Sequence, residues 1–242
     1  MGKVQPQPSS LVSFPSSSFS LILLPVPYRL NLTALTKFET VRLLEPSERA
    51  SLVLPRLLRR AVLSPDDYPD TLELEVALEE HWDALGASLQ HAVKTKENRD
   101  ILVGLDFVQT SAYRLKNMPY QRNFFAYIKD ADTFAAAYLS DASGIAPYVE
   151  MFTLFRQPKD GKIGVLTSSA GLIELDPSPE LIFLHLPDKH PEAIFNLHRS
   201  KVVEFGKANK PARKPEHFDS AYLEIQNANY QSWIARGVLK KV

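Results

Sequence analysis

The sequence lacks cysteine altogether, and this absence excludes several kinds of site at once. Without thiols the chain forms no disulfides, has no cysteine nucleophile and binds no metal through cysteine. Long apolar runs are also missing: the most apolar stretch covers residues 19–26, whereas a membrane-spanning helix needs about 20 apolar residues. The chain is therefore predicted to be a soluble protein without disulfides.

Glycine is scarce, with nine among 242 residues, and its spacing excludes three common motifs. No two glycines are spaced as in a dinucleotide-binding G-x-G, as in a P-loop before lysine, or as in the G-x-S-x-G elbow of hydrolases. These loops depend on glycine because it adopts positive φ at little cost and lets phosphate approach the backbone. The histidines and carboxylates match no metal-ligand motif. We predict neither a cofactor nor a metal site.

The net charge is zero, with 28 basic and 28 acidic side chains, so global electrostatics favour neither nucleic acid nor an anionic membrane. The charges are nevertheless segregated, because an acidic block runs from Asp66 to Asp83 and a basic cluster follows residue 198. Proline and glycine within this cluster predict a basic loop or arm at 199–214. Its basic residues are Arg199, Lys201, Lys207, Lys210, Arg213 and Lys214.

The first 38 residues contain no acid, and serine and proline crowd their beginning. This composition is typical either of a disordered tail or of an organellar targeting segment. We therefore predict that residues 1–19 form such a tail and that residues 20–242 form a single α+β domain. The predicted compartment is the cytoplasm, with organelle targeting as the alternative.

Short runs of β-branched and aromatic residues, separated by turn residues, predict a mainly antiparallel sheet at about residues 101–186. Its centre is a β-meander over Tyr148–Leu186, with strands at 149–157, 162–169, 171–175 and 180–186. Two earlier runs, ILVGLDFV and NFFAYIKD, are interpreted as further core strands.

Helical spacing and capping residues predict the elements that pack on this sheet. The strongest pattern is one apolar stripe in which Leu74, Leu78, Trp82, Leu85, Leu89 and Val93 are three or four residues apart. Pro55 indicates that the first helical region is kinked or divided into two short helices. The predicted helices lie near residues 46–63, 71–97, 131–140 and 219–236.

Three hypotheses about function remain open, and no catalytic constellation is recognisable, so a non-catalytic protein is favoured. The first is a binding or assembly protein whose acidic and basic surfaces contact a macromolecular partner, with a homo-oligomer formed through the C-terminal helix as one form of assembly. The second is nucleic-acid binding through the basic arm, with Arg122, Phe124, Phe125 and Tyr127 as a further surface. The third is an enzyme with a dispersed site around His185 and His190.

Overall fold

The computed structural model describes residues 27–77, 89–116, 118, 123–130, 132–139, 146–206 and 218–242, without the side chains of 156–159. In chain order the elements are β1 (Tyr28–Asn31), α1 (Lys37–Leu43), α2 (Pro46–Ser51), α3 (Val53–Leu57), β2 (Leu63–Tyr68), β3 (Leu74–Val76), α4 (Leu89–Gly104), β4 (Val108–Leu115), β5 (Asn123–Lys129), β6 (Thr133–Tyr138), β7 (Tyr148–Lys159), β8 (Lys162–Ser168), β9 (Leu181–His185), α5 (Pro191–Gly206), α6 (Phe218–Ala235) and β10 (Leu239–Lys241).

Most strands join one large sheet in the order β3-β4-β5-β6-β7-β8-β9. Each neighbouring pair is antiparallel except β8 and β9, which are parallel. A smaller antiparallel sheet has the order β10-β1-β2. The predicted α+β class with mainly antiparallel strands is confirmed.

Side-chain alternation along the central strands gives the large sheet two apolar faces. Phe124 and Ala126 of β5 pack with α6 on one face, whereas Phe125 and Tyr127 pack with α4 and α5 on the other. A strand that is apolar on both faces needs a helix on each side, because either face would otherwise be exposed to water. The sheet is therefore covered on both sides.

A third cluster of buried side chains joins the small sheet to the C-terminal half of α6. Leu30 of β1, Leu239 of β10 and Tyr230 of α6 lie in it, together with Leu175 from the segment before β9. Leu43 of α1 packs against this cluster, which places α1 beside the C-terminal half of α6.

The hairpin between β7 and β8 follows directly from local sequence. Asp160 and Gly161 have φ angles of 52° and 70°, the left-handed values that a tight two-residue hairpin turn requires. The predicted turn at this position is confirmed. Gly164 is also needed in β8, because a Cβ there would lie 2.4 Å from the carbonyl oxygen of Thr153 on β7.

Two helix predictions agree with the structure. The C-terminal helix, expected at 219–236, is α6. The region expected at 46–63 contains two short helices, α2 and α3, with Pro55 inside the first turn of α3.

The helix predicted at 71–97 is only partly correct. Residues 74–76 form the edge strand β3, residues 78–88 lie outside the described ranges, and the helix α4 covers 89–104. The strand expected at 101–108 is wrong, because α4 includes Ile101–Gly104. The buried face of α4 consists of Thr95, Asn98 and Leu102, which are three or four residues apart as on one side of a helix, and Val103 points to solvent.

Two further assignments are corrected by strand pairing. The helix predicted at 131–140 is the strand β6, which pairs with β5 and β7 over its alanine run. The strand predicted at 171–175 does not form; this segment is irregular and leads to β9, which lies parallel to β8. A parallel neighbour needs a longer connection than a hairpin turn supplies.

The basic segment is also corrected in part. Arg199 and Lys201 lie in helix α5 and not in a loop, because α5 continues to Gly206. Residues 207–217 and residues 1–26 are outside the described ranges, so the tail and the rest of the arm stay predictions. None of the helices in the described ranges combines the length and apolar character that crossing a bilayer requires.

Candidate functional site

Six large apolar side chains on α1, on α3 and directly after α3 do not enter the core. Their exposed fractions lie between 53% and 76%, and we name them the apolar face: Phe38, Val41, Val53, Leu54, Leu57 and Leu58. Scattered exposed apolar residues are ordinary, but a concentration in one short segment is typical of an interaction site.

Hydrogen bonds hold the helices beneath the apolar face in a defined arrangement. Thr36 and Glu39 form a capping box at the start of α1. Arg49 donates to the carbonyl oxygens of Val41 and Leu44 at the end of α1, at 2.8 and 2.6 Å. Arg56 of α3 donates to Thr40 Oγ1 at 2.6 Å, which joins α3 to α1.

Exposed basic side chains lie next to the apolar face. Lys37 begins α1, and Arg59 and Arg60 follow α3. The sequence from Val53 to Arg60 contains no acid. The apolar residues of α3 are thus followed by positive charge.

A buried ionic cluster fastens α1 to the end of α6. The Glu39 side chain is fully buried, and Arg236 Nη2 lies 2.7 Å from its Oε1 and 2.6 Å from its Oε2. The backbone N–H groups of Thr36 and Asp176 also donate to this carboxylate, at 2.7 and 2.8 Å. Burial raises the pKa of Glu39, but the bonds from Arg236 and the backbone outweigh it, so the pKa lies below its ordinary value.

A cleft of about 110 Å³ lies between α6, the sheet and the segment 170–177. We name it the aromatic cleft, because its lining includes Tyr68, Tyr148, Phe183, Tyr230 and Trp233. The charged residues that line it in the described part of the chain are Glu150 and Glu174, both acidic.

Hydrogen bonds and ring contacts fix the walls of the aromatic cleft. Trp233 Nε1 donates to the carbonyl oxygen of Asp176 at 2.8 Å, and the Tyr230 hydroxyl donates to that of Pro69. The Tyr148 ring stacks on Tyr138 with centroids 4.4 Å apart. The cleft is therefore formed before any ligand arrives.

A chain of hydroxyl contacts leads from the carboxylate of the cleft into the core. Tyr138 donates to Glu150 Oε2 at 3.0 Å, and its oxygen lies 2.8 Å from the hydroxyl of Tyr222. Burial, followed by the negative charge of Glu150, raises the pKa of Tyr138 well above its ordinary value. Tyr138 consequently stays protonated and orients the Glu150 carboxylate.

A third histidine, close in sequence to His185 and His190, lies in the interior between α5 and the sheet. His198 is fully buried, with Nε2 3.1 Å from Thr153 Oγ1 and Nδ1 2.9 Å from Thr167 Oγ1. Burial lowers its pKa to about 3, so it is neutral at physiological pH. Its hydrogen bonds join α5 to β7 and β8.

Of the six basic residues predicted to form the arm, two lie in the described part of the chain. Arg199 and Lys201 lie on α5, and Lys201 Nζ forms an ion pair with Glu204 at 2.7 Å. Lys207, Lys210, Arg213, Lys214 and Arg122 are outside the described residues.

The aromatic residues selected as a nucleic-acid surface are buried in the described structure. Phe125 and Tyr127 are 3% and 0% exposed, below α4. The guanidinium of Arg99 lies 3.7 Å from the Phe125 ring centroid, and Arg99 Nε also donates to the Tyr127 hydroxyl at 3.3 Å. One face of Phe125 is therefore occupied by a cation of the same chain and is not open to a base.

The two selected histidines are both exposed, at the end of β9 and before α5. His185 Nε2 lies 2.6 Å from the carbonyl oxygen of Ala170, and the carbonyl of His190 accepts from Ile194 N at 3.2 Å. The described residues contain no group of three or more His, Asp or Glu side chains that could hold a metal ion.

The acidic block is largely compensated where the structure describes it. Asp67 pairs with Arg29 at 2.7 Å, and Glu75 pairs with Arg114 at 2.7 Å. Two further pairs are Glu73 with Lys116 and Asp70 with Lys241. These four acids therefore contribute to the pairing of neighbouring strands. Glu79, Glu80 and Asp83 of the acidic block lie outside the described ranges.

Comparison with known proteins identifies no relative of this chain. No protein-family model matches the chain, and neither a curated protein nor a solved structure is detectably similar to it.

Sequence reasoning missed both the apolar face and the aromatic cleft. The run LVLPRLL has the composition of a core helix, and only its lack of a covering element makes it an exposed surface. The signal for the cleft was the cluster of aromatic residues in α6, which the sequence showed without indicating that part of it lines a cavity.

Proposed function

We propose that this chain is a non-catalytic binding protein that docks on a partner protein through the apolar face of α1–α3. The observation that carries the proposal is the exposure of Phe38, Val41, Val53, Leu54, Leu57 and Leu58 beside a covered sheet. Exposed apolar surface is stabilised when a partner removes it from water.

Charge complementarity favours a partner segment of one kind, an acidic amphipathic helix. Lys37, Arg59 and Arg60 adjoin the apolar residues of α1 and α3 in sequence, and the exposed acids Glu45 and Glu48 lie at the start of α2. A partner whose apolar stripe has carboxylates beside it matches the apolar residues and their basic neighbours. This retains the predicted macromolecular partner but moves the contact away from the basic arm and the acidic block.

Other described surfaces support this proposal less well. The large residues of α6 that suggested an oligomer contact are used within the chain, because Phe218, Tyr222 and Ile225 pack on the sheet. The nucleic-acid alternative is based on the basic arm, most of whose basic residues lie outside the described ranges, and its additional aromatic surface at Phe125 and Tyr127 is buried. The enzyme alternative depended on His185 and His190, and the hydrogen bonds described for these two residues involve backbone groups.

The test uses two synthetic leucine-rich helical peptides with the same apolar stripe, one with a glutamate polar face and one with a lysine polar face. Titration calorimetry with the full chain should show binding of the glutamate peptide, at least about tenfold tighter than the lysine peptide. Replacing Leu54→Ser and Leu57→Ser together should abolish binding. Arg59→Glu with Arg60→Glu should reverse the preference.

A matched control is Val203→Ser, since Val203 is 56% exposed on α5 and lies outside the apolar face. This control should leave binding unchanged. Binding of neither peptide would overturn the proposal. Preferential binding to phosphatidylserine vesicles, or self-association lost in the leucine variant, would assign the face to a membrane or a second copy and would also overturn it.

A further inference from the structure

The aromatic cleft carries a second, independent inference, since none of its lining residues belongs to the apolar face. We propose that the aromatic cleft binds a small organic ammonium ion, with a methylated ammonium group as the preferred ligand. The proposal depends on three features of the cleft: its walls, its charge and its size.

Five aromatic residues from four different elements contribute to the walls. Tyr68 of β2, Tyr148 of β7, Phe183 of β9 and Tyr230 and Trp233 of α6 all line the cleft. Aromatic rings attract cations through their negative faces, and cages of such rings recognise quaternary ammonium groups. Nine of the described lining residues are aliphatic and five are aromatic, and the rings add an attraction for cations that the aliphatic residues do not provide.

The charge of the lining selects the same class of ligand. Glu150 and Glu174 contribute carboxylates, and Glu150 is held in place by the hydroxyl of Tyr138 at 3.0 Å. A carboxylate inside a cleft with limited access to water attracts a cation more strongly than an exposed one does. An anionic ligand would instead meet like charge.

The size of the cleft limits the ligand to a small group. A cavity of about 150 Å³ accommodates benzene, and the aromatic cleft has about 110 Å³. The cleft is smaller than that benzene-binding cavity, so a trimethylammonium group is at the upper limit of what it encloses and a nucleotide exceeds it. Gln226 and Asn229 also line the cleft and supply polar atoms for the remainder of such a ligand.

The walls are preorganised, which lowers the cost of binding. Trp233, Tyr230 and Asn229 are each fixed by a hydrogen bond to the backbone, the last through Oδ1 accepting from Ser178 N at 2.8 Å. Tyr148 is fixed by its stacking on Tyr138. Little side-chain rearrangement is therefore needed when a ligand enters.

The test compares choline with 3,3-dimethylbutan-1-ol, which has the same shape but a carbon in place of the charged nitrogen. Binding to the full chain is measured by titration calorimetry and by the change in tryptophan fluorescence. We expect saturable binding of choline that is at least about tenfold tighter than binding of the neutral alcohol.

Two variants and one control connect the binding to the cleft. Glu150→Gln keeps an acceptor for Tyr138 but removes the charge, and it should weaken choline binding by about tenfold. Tyr148→Leu should weaken it through the loss of one ring. Glu75→Gln removes a carboxylate of β3 that does not line the cleft, and it should leave choline binding unchanged.

Folding of each variant is checked by near-ultraviolet circular dichroism, so that loss of binding is not confused with loss of structure. Equal binding of choline and its neutral isostere would overturn the proposal, as would the absence of saturable binding. Retention of full choline affinity in folded Glu150→Gln would overturn the assigned role of the carboxylate.

Discussion

Two polar clusters in this protein each bury an ionisable side chain, which is ionised in one cluster and neutral in the other. Glu39 is fully buried and stays ionised beside Arg236. His198 is equally buried but stays neutral between the hydroxyls of Thr153 and Thr167. Both clusters connect helices to the rest of the fold, yet they do so by different physical means.

The difference shows that the partners, and not burial alone, decide the charge state of an interior group. Burial opposes ionisation in both clusters because the interior solvates charge poorly. For Glu39 a guanidinium and backbone N–H groups compensate this cost. Hydroxyl groups provide no opposite charge, so His198 avoids the cost by remaining neutral.

The largest effect is expected when the charged cluster loses its cation. Arg236→Met leaves the Glu39 carboxylate buried without a counter-charge, and we expect the free energy of unfolding to fall by about 3 kcal/mol. This value is near the lower end for a buried pair because the Arg236 side chain is 28% exposed. Urea denaturation measures the change.

The matched control for this prediction removes both charges. Arg236→Met combined with Glu39→Gln should recover part of the lost stability, because no uncompensated charge then remains. A single variant as stable as the unaltered chain would show that water reaches Glu39, and the contrast with His198 would be lost.

The next largest loss of stability is expected when the pH is lowered and His198 becomes protonated. His198 takes up a proton near pH 3 in the folded chain, whereas an unfolded histidine does so near pH 6.5. The stabilisation is therefore fully present above pH 6.5 and is lost as the pH falls from 6.5 toward 3. Within this window the free energy of unfolding falls by up to about 1.4 kcal/mol per pH unit. The total loss between pH 7 and pH 5 is about 2 kcal/mol.

Glu39 titrates in a lower window, which separates the two clusters experimentally. Its folded pKa lies below 4.5, so its contribution is present above pH 4.5 and is lost only as the pH falls further. His198→Gln should flatten the dependence of stability on pH between 6.5 and 4.5. An unchanged slope in that variant would assign the acid sensitivity to other groups.

The smallest effect is expected for a charged pair at the surface. Arg29 and Asp67 form an ion pair at 2.7 Å, but their side chains are 36% and 53% exposed. Asp67→Asn should lower the free energy of unfolding by less than about 1 kcal/mol, and added salt should reduce the effect. A double-mutant cycle with Arg29→Met isolates the coupling, and a coupling as large as that of Glu39 with Arg236 would contradict the ranking by burial.

Several elements were predictable because their signals are local. The hairpin at Asp160-Gly161 and the helix α6 follow from turn residues and from helical spacing within one segment. In contrast, the alanine run of β6 has high helix propensity but is a strand, because it pairs with β5 on one side and β7 on the other. The run at 101–104 has strand-like composition, but it continues the buried face of α4.

The candidate sites were not predictable for a related reason. Glu39 and Arg236 are 197 residues apart, and the aromatic cleft is lined from β2, β4, β7, β8, β9, α6 and the segment before β9. The apolar face was readable as apolar, but its exposure depends on which elements fail to cover it. Such facts arise from long-range packing.

By itself the sequence determined the α+β class, the main hairpin, the C-terminal helix and the absence of cysteine and glycine-rich chemistry. The tertiary structure alone decided that the alanine run is a strand, that β9 lies parallel to β8, and which apolar residues remain exposed. The physical reason is one of magnitude. Local propensities differ by less than about 1 kcal/mol per residue, whereas burying one large apolar side chain contributes about 1.5–3 kcal/mol, so packing overrides propensity wherever the two conflict.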